Sequence, residues 1–96
     1  AQVEIIPGRR EDFLVEFKQI IPDVLQEQGC LEYGPTIDLK TDLERQHRNE
    51  NRVTIIEKWD TLDDLKNHLT APHMLAYRER IKDMVRQAQL NVLSPA

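Results

Sequence analysis

The chain opens with a short alternation of apolar and polar positions. Val3 and Ile5 point one way and Gln2 and Glu4 the other, which predicts a strand over Ala1 to Ile6, stopped by the turn pair Pro7-Gly8. From Arg10 the period lengthens: Phe13, Leu14, Phe17, Ile20, Ile21, Val24 and Leu25 recur at the spacing of one helical face, with charged and amide residues between them. Pro22 falls inside this pattern. Its ring removes a backbone donor and crowds the preceding turn, so the helix is expected to kink there or to divide in two. Gly29 supplies a stop, because a left-handed residue costs little there.

Cys30 to Leu39 reads as a second strand, with a bulge expected at Gly34-Pro35. Lys40 to Arg52 carries four basic and three acidic residues and reads as an exposed hairpin loop. Val53 to Trp59 is the clearest strand, and apolar groups fall on both of its faces. Thr61 with Asp64 three residues on is close to a capping box and opens a helix with Leu62, Leu65 and Leu69 inward. Pro72 suits the first position of a second helix, whose inner face is expected to hold Met74, Tyr77, Ile81, Met84 and Val85. Leu90 to Leu93 is expected to be the last strand, before Ser94-Pro95-Ala96.

This order gives two βαβ-type crossovers around a central hairpin. It predicts a single α+β domain over residues 1–96, with a ferredoxin-like four-stranded antiparallel sheet and helices on one face. The other face, with apolar residues of the third strand, calls for a cover, and a second copy laid sheet to sheet would supply it. A homodimer is therefore expected.

At 96 residues the chain suits one domain with a thin core, since a chain so short buries only about 60–65% of its unfolded surface. An apolar fraction of 40% and a charged fraction of 31% suit a globule. The formal charge of −4 disfavours a nucleic acid or an anionic membrane as partner. Residues 1–10 lack the basic start and apolar run of a secretory signal. Cys30 is the only cysteine, so no intrachain disulfide can form and a reducing, cytoplasmic setting is expected. It has no sequence-adjacent base and reads as a buried structural thiol.

Several short signals fall in order: Pro7-Gly8, then Phe13-Leu14, then Gly29-Cys30 with Tyr33, then Glu57-x-Trp59, and finally His68-x-x-x-Pro72-His73. Together they resemble the antibiotic biosynthesis monooxygenase domain, particularly its quinol monooxygenase-like branch, over nearly the whole chain. The resemblance implies a dimeric α+β barrel with a pocket in each subunit between sheet and helices. It also implies oxidation of phenols, quinols or polyketide-like aromatics by molecular oxygen, with neither flavin nor metal. In such chemistry the deprotonated, electron-rich substrate gives an electron to oxygen, while the protein binds it, removes its proton and excludes water. Heme-degrading relatives use an Asn, a Trp and a His where this chain has Ala1, His68 and Arg78, so heme oxygenation is disfavoured.

Glu57 and Trp59, two apart on one strand, share a face. One reading makes them a substrate wall, with Trp59 stacking on an aromatic ring and Glu57 anchoring a hydroxyl or a histidine. The other makes Trp59 core or interface and Glu57 the partner of a cation. His68 lies beside Leu65 and Leu69 and suits a general base, or else a helix-border imidazole bonded to backbone. His73 is the second catalytic candidate, or else a cap for the following helix. Tyr77, one turn beyond His73, could share a hydrogen bond with it. Tyr33, Tyr77 and Met74 are candidates for substrate contact, and equally for ordinary core. His47 reads as solvated. His68 and His73 are five apart across a proline and do not share a helical face, so no metal site is expected. No glycine-rich phosphate loop or serine elbow appears, and no cofactor is expected. Two other functions remain open on the same scaffold: a non-catalytic ligand-binding module, and an isomerase or degrader of a small signal metabolite.

Overall fold

A computed structural model describes residues 1–96. In chain order the elements are β1 (Gln2–Ile5), α1 (Arg10–Leu25), β2 (Cys30–Thr36), β3 (Arg52–Trp59), α2 (Leu62–Leu69), α3 (Pro72–Ile81) and β4 (Val85–Gln89). The strands form one antiparallel sheet in the order β2-β3-β1-β4, the ferredoxin-like arrangement. From the apolar face of α1, Phe13, Phe17, Ile20 and Val24 are buried on one side of the sheet, while Leu25 at its end is exposed. It meets Val3, Ile5, Tyr33, Val53 and Ile55 from the strands and Met74, Tyr77 and Ile81 from α3. Each large side chain buried here contributes roughly 1.5–3 kcal/mol. Thr61 caps α2, its hydroxyl accepting the Asp64 N–H at 3.1 Å, and Pro72 opens α3.

Four expectations are corrected. Pro22 neither ends nor divides α1, which runs unbroken from Arg10 to Leu25. Its ring is solvent-exposed, and buried Ile20 and Val24 on either side hold the last turn down. Gly34 and Pro35 pair in register with Ile56 and Ile55, and the irregularity falls between Cys30 and Glu32 instead. Because β2 is an edge strand, a missing donor at Pro35 is tolerated. The strand ends at Thr36, short of Leu39.

The last strand is Val85–Gln89, and α3 stops at Ile81, so Met84 and Val85 reach the core from a turn and a strand. Leu90, Val92 and Leu93 are exposed. The sequence Val-Arg-Gln-Ala-Gln has almost no apolar alternation; it is a strand because its backbone pairs with β1, Val3 against Ala88 and Glu4 against Gln87. The fourth correction concerns the outer face of the sheet. With Val3, Val53 and Ile55 directed at the helices, Gln2, Glu4, Glu32, Thr54, Ile56 and Lys58 face away. The paired positions of that face are mostly polar, with Ile56 half-exposed among them and Leu31 exposed at the irregularity of β2, so less apolar area faces outward than the sequence suggested.

Candidate functional site

The end of β3 carries two of the expected side chains on the inner face. Glu57 lies opposite Tyr33 and Trp59 opposite Cys30. His68 descends from the last turn of α2 and is 2% exposed, while His73 stands in the first turn of α3. The residue that joins them is Glu27, in the tight turn between α1 and β2, where its N–H bonds the Val24 carbonyl at 3.0 Å. Gly29 closes that turn at φ +78, a conformation that suits glycine. Its carbonyl accepts the Asp60 N–H at 2.8 Å, and the Asp64 side chain rests where a Cβ would be. The turn bearing Glu27 is thereby seated against the start of α2.

Glu27 serves both histidines. His68 Nδ1 lies 2.9 Å from Glu27 Oε2 and 3.1 Å from Oε1, and His73 Nε2 lies 2.8 Å from Oε2. On the other side of His68, Nε2 faces Glu57 Oε1 at 3.9 Å, and that oxygen accepts the Trp59 Nε1–H at 2.9 Å. The Trp59 ring lies 4.7 Å from the His68 ring, and the Tyr33 ring meets His68 edge-on at 5.3 Å. Buried carboxylates are costly unless paired, and here each finds an N–H donor. The result is one chain of polar contacts, Trp59–Glu57–His68–Glu27–His73, spanning β3, α2, the α1–β2 turn and α3.

The site also acts on nearby acids. Burial, and then the Glu57 charge, push the Tyr33 phenol well above its usual range, and burial does the same to Tyr77. Burial, with Glu27 next, pushes the Cys30 thiol up. Cys30 itself is only partly buried, which corrects the expected buried thiol.

The structure thus brings together Tyr33, Glu57, Trp59, His68 and His73. It does not bring Tyr77 or Met74 to them as polar partners. Tyr77 packs edge-on against Phe13 and Phe17, at 6.4 and 6.0 Å, and Met74 is fully buried in the same core. Of the two readings of Tyr77 the core one describes its packing, and His73 bonds Glu27 instead. His47 is exposed, in the 37–51 loop, at the opposite end of β3. Glu27 escaped the sequence reading: within Gln26-Glu27-Gln28 it looks like a solvated helix end, and only the fold carries it to residues more than forty positions away. No three His, Cys, Asp or Glu side chains are disposed to hold a metal ion.

Residues 1–80 match the family model described as antibiotic biosynthesis monooxygenase. The chain belongs to this family. Among curated relatives it is 34% identical over 97 residues to the protein named "Probable quinol monooxygenase YgiN" of Escherichia coli K12, covering 99% of this chain and 93% of that protein. The protein of the same name in Shigella flexneri matches equally. Among solved structures, Rv0793 of Mycobacterium tuberculosis superposes with a TM-score of 0.80 at 20% identity, covering 99% of this chain and 89% of that one. A conserved protein of Methanosarcina mazei Go1 gives 0.76 at 22% identity, covering 92% and 79%. These two likenesses carry the fold, and the family membership rests on the sequence.

Proposed function

We propose that this family member is a cofactor-independent monooxygenase that oxidises a small quinol, phenol or polyketide-like aromatic with molecular oxygen, and that it works as a homodimer. The observation that carries the reading is the chain of histidines and carboxylates ending on the indole of Trp59. It sets proton acceptors beside an aromatic surface, which is what oxidation of a phenolate requires of a protein. The 34% identical relative, named for quinol oxidation, supports the same reading. His68 and His73 are the candidate proton acceptors, and Trp59, Glu57 and Tyr33 the candidate substrate contacts. For a hydroquinone the balance closes without another reductant. The phenolic proton goes to a histidine, the ring supplies all the electrons, one oxygen atom enters the ring to give a hydroxyquinone, and the other leaves as water. The homodimer draws support from the thin core, in which 14 of 96 residues are buried.

Oxygen uptake by the pure protein over a panel of quinols tests the activity. Uptake above the autoxidation rate is expected, with hydroxyquinone formed and KM raised roughly 2–10-fold in Trp59→Ala from lost stacking. Background rates across the whole panel would refute it. A lone subunit in sedimentation velocity at micromolar concentration would refute the dimer. A pair of histidines on one carboxylate also suits a proton-shuttling isomerase, which product formation from a sugar-like substrate without oxygen uptake would reveal.

A further inference from the structure

The two candidate histidines are not equivalent, and their surroundings separate their roles. We propose that His73 takes the substrate's proton, and that Glu27, with His68 behind it, positions His73 for the task. This assignment rests on the oxidative reading above and divides the labour within the same site.

His68 is poorly placed to meet a substrate. It is 2% exposed, its Nδ1 is bonded to Glu27, and its Nε2 faces Glu57 Oε1, which is already engaged by the Trp59 N–H. The rings of Trp59 and Tyr33 flank it. A substrate hydroxyl could reach either nitrogen only by displacing a carboxylate or a ring. His73 is different. Its side chain is 28% exposed, and only Nε2 is committed, to Glu27 at 2.8 Å. Nδ1 has no hydrogen-bond partner in the protein.

Because a carboxylate can only accept, the Glu27 contact selects the tautomer with the proton on Nε2. That leaves the Nδ1 lone pair bare, as a base requires. The orienting arrangement is that of an imidazole backed by a carboxylate. Here the carboxylate is itself held: His68 Nδ1–H bonds Glu27 from the buried side, and its own rigidity comes from the capped helix α2 and the flanking rings. Pro72 just before His73 sets the first turn of α3, so the imidazole leaves from a constrained backbone. In the proton transfer the substrate O–H bond breaks and an Nδ1–H bond forms. The electron pair stays on the substrate oxygen, and Glu27 balances the new imidazolium charge. No further reactant is needed.

The test has two arms, each run on variants whose melting curves show them folded. In the kinetic arm, His73→Gly is expected to lower kcat by roughly 10²–10⁴-fold, the usual contribution of a general base. Added imidazole should restore part of that rate, as it would not for a merely structural residue. Glu27→Gln is expected to lower kcat with KM little changed, and His68→Gln to lower it less than His73→Gly. Retention of kcat in His73→Gly, together with its loss in His68→Gln, would overturn the assignment. The second arm needs no turnover. In ¹⁵N-histidine-labelled protein, His73 is expected to carry its proton on Nε2 alone, and Glu27→Ala to let both tautomers appear. An Nδ1-protonated His73, or one indifferent to Glu27→Ala, would overturn the role of Glu27. If the wild type oxidises no quinol, the oxidative reading falls, and this arm still decides whether Glu27 sets the imidazole.

Discussion

Gly29 is the position at which backbone conformation, helix seating and the candidate site meet, and Gly8 provides its control. Both have positive φ, +78 and +85, so an alanine at either pays the left-handed strain of roughly 1–2 kcal/mol. Nothing lies within 4 Å of a Cβ at Gly8. At Gly29 the new Cβ would come 2.0 Å from Asp64 Oδ2, 2.4 Å from Cγ and 2.8 Å from Cβ. The carboxylate tip can swing away, but the Asp64 Cβ moves only if α2 moves. Overpacking of this kind adds about 1–3 kcal/mol. Gly29→Ala is therefore expected to cost roughly 2–5 kcal/mol against roughly 1–2 kcal/mol for Gly8→Ala. With about 4–8 °C per kcal/mol for a domain of this size, the two melting temperatures should separate clearly. Urea denaturation of both, and of Gly29→Ala combined with Asp64→Gly, measures the steric part, because Asp64→Gly removes all three clashing atoms. A coupling energy of about 1–3 kcal/mol between positions 29 and 64 is expected. Equal destabilisation by the two glycine substitutions, or no coupling to Asp64, would refute this account of how the Glu27 turn is seated.

Other consequences follow from the packing and the charges. Phe17→Ala should cost about 3–5 kcal/mol in urea denaturation, since Phe17 is fully buried and stacks on Tyr33 at 5.3 Å. Both buried phenols titrate higher folded than unfolded, so the stability they contribute is complete below the unfolded value of about 10 and is lost as pH rises beyond it. Tyr33→Phe should accordingly blunt alkaline unfolding followed by circular dichroism, leaving neutral stability nearly unchanged. The hydrogen bond from Arg52 holds the Asp38 carboxyl below the usual range, so its contribution is present at neutral pH and fades as pH falls through the acid range. Asp38→Ala also removes the acceptor of the Asn49 N–H, so the 37–51 loop should become the first site of limited proteolysis.

Much of the fold was legible because burial imposes a period on the sequence. The helical face of α1 from Phe13 to Val24, the alternation of Val53 and Ile55, and the Thr61 cap all report local geometry directly. The elements misjudged are those whose stability lies elsewhere. β4 exists through backbone pairing to β1, and its polar side chains announce nothing. Pro22 is tolerated because its ring faces solvent, a fact about orientation that residue type alone does not reveal.

For the candidate site the division is sharper. Glu57 and Trp59 lie two apart on a strand, and that spacing alone determines that they share a face. Its place beside Leu65 and Leu69 likewise marked His68 as a polar group among apolar neighbours, while His73 and Tyr33 were marked by the order of short signals that carries the family resemblance. The tertiary structure decided that Tyr33, Tyr77 and Met74 share one core cluster and that only Tyr33 of the three packs on His68, that His68 is enclosed while His73 keeps a free nitrogen, and that Glu27 joins the histidines. The physical reason is range. A strand or helix period is a local consequence of burying one face, whereas a hydrogen bond between a turn at residue 27 and helices at 68 and 73 exists only once the sheet has brought distant backbone together.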